Sequence, residues 1–229
     1  MVDQNKPLAL IAGAGPGLGQ SLMHRFASGG FNVIGFTRSA KTLDGGLSVQ
    51  SLDLTDPQAV NDTVGNIIVE HGAPKVVIHN PAKLVIEAFT DTTVQDYEST
   101  WRTMALSAAI LGQTVLMPMV RAGGGSFLVS GATASLRGGA KFSAFASAKF
   151  ALRGLTQSIA REFQSSGIHV AHIILDGIID SPQSRDLHSL DPSKMMSPAD
   201  IAEVYWQTAH QPASTWSHEI DLRPRSEAF

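Results

Sequence analysis

A chain of 229 residues with 20 acidic against 17 basic groups, a net charge of −3 and no cysteine suits one α/β domain, 1–229, with a full core. The interspersed charges leave no footprint for nucleic acid or an anionic membrane, and the absence of thiols excludes a disulfide framework, a thiolate metal site and a cysteine nucleophile. No apolar run has the length of a membrane span, and residues 1–6 lack the basic-then-apolar form of a signal peptide, so a cytoplasmic location is expected.

The apolar run 8–12 predicts a short buried strand that breaks into glycines at 13, 15, 17 and 19 before Leu18, Leu22 and Phe26 set a helical period. Gly29 and Gly30 end that helix ahead of a second apolar run, 31–36, which makes a βαβ unit. Side chains in such a turn would keep the backbone from a pyrophosphate and would cover the amides of the helix start, so the implied ligand is a dinucleotide held at Gly13, Gly15, Gly17, Leu18 and Gly19. The spacing Gly13-x-x-x-Gly17-x-Gly19 resembles that of the short-chain dehydrogenase/reductase family, Thr-Gly-x-x-x-Gly-x-Gly, with Ala12 at the threonine position.

The polar segment 37–41 ends the second strand, where dinucleotide-binding folds place the adenine ribose. A preference for NAD would show an acidic residue there. This chain has Thr37 and Arg38, which suit a 2′-phosphate, so NADP is expected over NAD, the alternative being a solvated loop arginine. Run 47–52 predicts a third strand ending in Asp53-Leu54, and Thr55-Asp56-Pro57 starts a helix that reaches about residue 70. The resemblance puts Asp53, with Leu54 beside it, where family members hold the adenine amino group; a plain turn-capping aspartate is the alternative. A fourth strand, 75–79, enters Asn80-Pro81-Ala82. The family has Asn-Asn-Ala-Gly here, lying along the cofactor. Asn80 matches, whereas His79, Pro81 and Ala82 replace its neighbours, and proline removes a donor and fixes φ.

Residues 93–121 predict one long helix that Pro118 bends or ends, followed by a glycine loop at 123–125 and a strand at 126–130. A second long helix, 142–164, runs through Phe145, Lys149 and Leu152, is closed by Gly167, and leads into a strand at 168–175. His169 and His172, three apart on that strand, point to opposite faces, so no metal is expected there. Segment 176–198 resembles the mobile loop that covers substrate in the family. A last helix, 201–209, and a short strand, 219–222, finish the chain. Strands alternating with helices imply a Rossmann-like doubly wound parallel sheet of about seven strands with helices on both faces and ligand at the strands' carboxyl ends.

The family transfers a hydride between nicotinamide and a carbonyl or alcohol carbon. A tyrosine moves the proton, a lysine four residues on lowers its pKa and holds the ribose, a serine polarises the carbonyl, and an asparagine in the preceding helix holds a relay water. The Tyr-x-x-x-Lys motif aligns with Phe145 to Lys149, so the lysine is present and the tyrosine is not. The only tyrosines, Tyr97 and Tyr205, have no lysine four residues later. The serine, about thirteen residues before the tyrosine, aligns with Ala132, and the flanking Ser130 and Ser135 are several ångström away. Met104 takes the asparagine position, or Thr103 or Ala105 if the register differs by one.

Losing the acid costs about 10²–10⁴-fold, and the losses need not add. Contacts to the cofactor through the glycines, Arg38, Asp53, Asn80 and Lys149 persist. Two readings follow. One is a weak or atypical oxidoreductase acting on a small carbonyl or alcohol, its proton coming from water, Lys141, Asp176 or a ribose hydroxyl held by Lys149. The other is a catalytically silent NADP-binding sensor or partner protein. Both long helices are apolar on more than one face, and family members pair through such helices, so a homodimer or homotetramer is expected.

Overall fold

The computed structural model describes residues 6–38 and 47–226; residues 1–5 and the 39–41 portion of the expected ribose segment lie outside the described residues. Seven strands, β1 (Leu8–Ala12), β2 (Asn32–Thr37), β3 (Ser48–Ser51), β4 (Val76–His79), β5 (Gly125–Ser130), β6 (Ile168–Leu175) and β7 (Glu219–Leu222), form one sheet. All its pairs are parallel, in the order β3-β2-β1-β4-β5-β6-β7. The order reverses between β1 and β4, where a Rossmann-like sheet opens a crevice for ligand.

β1 shows why the two faces hold together. All five of its residues are buried. Leu8, Leu10 and Ala12 enter the core under α2 (Pro57–His71), α4 (Ser107–Arg121) and α5 (Ser143–Phe163), whereas Ala9 and Ile11 enter the core under α1 (Leu18–Ser28) and α7 (Pro198–Ala209). That is the period-two alternation of a strand covered on both sides. α1 and α7 meet through Phe26, Phe31 and Trp206, with ring centres 5.3–5.8 Å apart, and Gly29 has no Cβ because one would lie 2.2 Å from the Trp206 ring.

Local chemistry sets the helix ends. Asp56 caps α2 by accepting from the amides of Gln58 and Ala59, with Pro57 at the first position, a cap contributing about 1 kcal/mol. Gly167, at φ 83, closes the turn after α5.

The predicted helix 93–121 departs from expectation. It is broken not by Pro118 but at residues Arg102–Leu106, where a π turn separates α3 (Val94–Trp101) from α4. Pro118 denies the helix a single N–H close to its natural end, and α4 continues to Arg121. An 18-residue window within Val94–Arg121 is apolar, with a mean hydropathy of 1.5, and by length and composition alone would suit a membrane span, but 56% of that window is buried inside this fold, as in a core helix. Gly125 belongs to β5 rather than to the preceding loop, and a Cβ on it would sit 2.5 Å from the Lys75 carbonyl oxygen. Between β6 and α7 the chain forms α6 (Pro182–Leu187) and bridges Ile179 to Met196.

Candidate functional site

The glycines after β1 are glycines for different reasons. Gly13, at φ 82, presses against the loop after β4, so that a Cβ would lie 2.8 Å from the Asn80 carbonyl carbon and the Pro81 nitrogen. Gly17, at φ 89, is the N-cap of α1 and brings no side chain over the first-turn amides. Gly19 packs on the turn, its Cβ direction only 2.2 Å from the Gly13 carbonyl oxygen. Gly15 alone of the four would meet nothing within 4 Å. The amides of Gly13 and Ala14 both donate to the Phe36 carbonyl at 3.0 Å, which ties the turn to β2.

A cavity of about 330 Å³ opens beside this turn, between the ends of β2 and β3 and the loop after β4. Of the residues singled out in the sequence, Gly13, Gly15, Thr37, Arg38, Asp53, Leu54 and Asn80 line it. Gly17, Leu18 and Gly19 are not among its lining residues, and Leu18 is buried in the core under α1. Phe36, Val49 and Leu52 add apolar wall that the strand pattern could have supplied, and Thr103 adds a hydroxyl-bearing residue brought there by the π turn. Asp53 Oδ1 accepts from the Thr55 amide at 2.9 Å and hydroxyl at 2.8 Å. These bonds, helped by Arg38 and Arg102, hold the carboxyl below its usual range. Asp53 thus caps the turn and also presents a carboxylate to the cavity.

The positions that align with the reacting groups lie elsewhere. Lys149 is 2% exposed, its Nζ donates to the Ser130 carbonyl at 2.7 Å, and burial pushes the amine down to about 8. The Phe145 ring centre is 5.8 Å from that nitrogen. The Ala132 amide donates to Ser135 Oγ at 3.1 Å, which also bonds His172 Nε2 at 3.0 Å. Ser130 Oγ bonds Asn80 Oδ1 at 2.8 Å and the Tyr205 hydroxyl at 2.7 Å. Neither flanking serine therefore points a spare hydroxyl at the position of the family's serine. Met104 is fully buried in the core, and Asp176, 1% exposed, receives the Thr133 hydroxyl and faces Arg223 at 3.3 Å and Arg137 at 3.7 Å. Lys141 is exposed, at φ 69, and its carbonyl accepts from the Glu87 amide at 2.9 Å. Lys149, Phe145, Ala132, Met104, Asp176 and Lys141 do not border the cavity.

His79 is linked to the π turn. The Ser107 amide donates to Arg102 rather than to Thr103, and the Ser107 hydroxyl donates instead to the Thr103 carbonyl at 2.6 Å. With that proton committed, His79 Nε2 is the donor in its 2.7 Å bond to Ser107 Oγ. Burial, with Lys149 nearby, pushes His79 down to about 3, so the ring is neutral. His169 and His172 diverge, the first bonding the Ser217 carbonyl and stacking on Trp216, the second turning to Ser135.

The family model for the short chain dehydrogenase matches residues 7–189. The 2-dehydro-3-deoxy-D-gluconate 5-dehydrogenase of Bacillus subtilis is 25% identical over 188 residues, 78% of this chain and 73% of its own length. The crystal structure of a short-chain dehydrogenase from Rhodopseudomonas palustris is 33% identical, with a TM-score of 0.81 over 96% of this chain and 99% of that one. ElxO with NADP bound shares the fold, with a TM-score of 0.88 at 21% identity over 95% of this chain and 97% of that one.

Proposed function

The chain belongs to the short-chain dehydrogenase family, and from that premise we propose that it binds NADP in the cavity beside the glycine turn and is an oxidoreductase of weak or atypical activity on a carbonyl or alcohol substrate. The observation that carries the proposal is the open space at Gly15, flanked by glycines that packing requires and faced across the cavity by Arg38 and Asp53. A pyrophosphate fits that space, with the amides at Gly17, Leu18 and Gly19 as donors. Asp53 and Leu54 suit adenine, Thr37 and Arg38 a 2′-phosphate, and Asn80 and Lys149 the nicotinamide half. A neighbour in fold, ElxO, carries NADP, which supports the choice of nucleotide.

When bound, the cofactor supplies the hydride; the chain has to supply the proton and the carbonyl donor. Phe145 has no proton to give and Ala132 no hydroxyl, so the two steps that the family assigns to those positions lose about 10²–10⁴-fold for the acid and a comparable factor for the donor. Lys149, at about 8, still holds a proton at neutral pH, but it donates to Ser130. That bond favours the second reading, a silent NADP-binding sensor or partner. Exposed Trp101, Met117 and Phe150 on α3, α4 and α5 support pairing as a homodimer or homotetramer, which a monomer in sedimentation at micromolar concentration would refute.

Calorimetric titration tests the nucleotide. NADPH is expected to bind more tightly than NADH, and Arg38→Ala to weaken NADPH about tenfold or more with NADH unchanged, since charge-assisted hydrogen bonds contribute about 1.5–3 kcal/mol. NADH binding as tightly as NADPH would remove the NADP assignment, and no binding of either would remove the oxidoreductase reading.

A further inference from the structure

Gly13, Asn80 and Ser130 stand in one row at the carboxyl ends of β1, β4 and β5. Ile11 pairs with Ile78 and Ile78 with Leu128, and the row continues that register two residues on. Its side chains face α7, as those of Ile11, Ile78 and Leu128 do. Asn80 Nδ2 donates to the Gly13 carbonyl at 3.1 Å, and Ser130 Oγ donates to Asn80 Oδ1 at 2.8 Å. With the serine proton so used, the Tyr205 hydroxyl is the donor in its 2.7 Å bond to Ser130 Oγ. Tyr205 is fully buried and Ser130 is 4% exposed. Three hydrogen bonds thus run without a gap from α7 to the glycine turn.

The end of this chain of bonds is a sensitive place. Gly13 sits at φ 82, in a region only glycine enters easily, and Pro81 has no N–H with which the loop after β4 could tie itself down. The start of α1 rests on the Gly13 carbonyl, which Gly19 approaches too closely for any Cβ. A shift of that oxygen moves the first-turn amides of α1.

We infer that Tyr205 is a positioning residue for nucleotide binding, acting through Ser130 and Asn80 to fix the Gly13 carbonyl and with it the amides of the turn. The inference rests on the nucleotide reading above for its purpose, but not for its mechanics. Burial raises the Tyr205 hydroxyl above its ordinary value, which keeps it a donor through the neutral and mildly alkaline range.

Amide hydrogen exchange of the ligand-free protein, compared between the wild type and Tyr205→Phe, tests the mechanics; calorimetry with NADPH tests the purpose. Exchange at Gly13 and Ala14 should quicken while β6 and α5 keep their protection, and the NADPH dissociation constant should rise about fivefold, the share of one neutral hydrogen bond. The ratio of NADPH to NADH affinity should not move, because Arg38 is untouched. Ser130→Ala should reproduce the pattern and serves if Tyr205→Phe does not fold; the double variant should add little to either, since both cut the same chain. Unchanged exchange at the turn, a uniform loss of protection across the sheet, or faster exchange with unaltered NADPH affinity would each overturn the inference, the last two leaving Tyr205 only as a support for α7. Local quickening in a wild-type background that binds no nucleotide would keep the anchor and overturn the NADP reading instead.

Discussion

Beside β1, β2 and β3 the crevice keeps its polar and open positions turned outward: Gly15 leaves room, Arg38 is exposed at the rim, and Asp53 presents a carboxylate. Beside β5 and α5 the polar groups are turned inward and bonded to the protein itself, Lys149 to Ser130, Ser135 to Ala132 and His172, His79 to Ser107. The contrast teaches that the two halves depend on different things. A nucleotide site depends on backbone shape, which the packing of Gly13 and Gly19 maintains and the hydrogen bonds of Asn80 and Ser130 support. Proton transfer depends on one acid at one place, and a single substitution removes it.

Restoring the reacting groups breaks the contrast most strongly. Phe145→Tyr with Ala132→Ser should raise NADPH-dependent reduction across a panel of aldehydes and ketones by about 10²-fold or more, with part of the gain from Phe145→Tyr alone, because a tyrosine beside Lys149 regains a lowered pKa. If the wild type already reduces carbonyls at rates the double variant cannot exceed, another residue carries the proton.

The inward half should also show itself in pH dependence. Lys149 lies at about 8 in the folded chain against an ordinary 10.5. Between those values the unfolded chain holds a proton that the folded one has released, so stability rises with pH through that window. Relative to Lys149→Met, the wild type should gain roughly 3 kcal/mol from pH 8 to 10.5 in denaturant unfolding. Parallel curves would show that the amine is not buried as described.

The smallest effects sharpen the outward half. Gly19→Ala forces a Cβ against the Gly13 carbonyl and should cost about 1–3 kcal/mol in stability. Gly15→Ala has space for its methyl, so stability should stay within about 0.5 kcal/mol of wild type while NADPH binding weakens. A Gly15→Ala protein that binds NADPH as tightly as wild type would place the pyrophosphate elsewhere.

Much of this was legible in the residues. β1 and β6 fall where their apolar runs stop, because Gly13, Gly167 and Asp176 punctuate them, and Gly13, Gly15, Thr37, Arg38, Asp53 and Asn80 pointed to the cavity they now line. The π turn was not legible, since residues 102–106 would suit an ordinary α-helix equally well, and so Thr103 stands in the sequence only as a register alternative to Met104. The partner of Lys149 was hidden for a different reason: it is a backbone carbonyl, which every residue owns. Tyr205 has no lysine four residues on and so carries no motif, whereas its role depends on Ser130, which sequence distance separates from it and the sheet brings near.

The π turn has a further consequence for how this chain can change over evolutionary time. A five-residue hydrogen-bond step holds one residue more than an α-helical one over about the same turn, so a single-residue deletion within 102–106 that restored an α-helical turn would leave the segments on either side on their present faces. Tyr97 would keep its hydroxyl near Ser143, which it reaches at 2.8 Å, and the buried Thr100 would stay in the interior. Met104, fully buried in the core, can be exchanged for other apolar residues of its size without moving the scaffold, whereas asparagine would bury an amide among apolar side chains. A further residue added there would exceed what the turn absorbs and would rotate α3 by about 100° against α5.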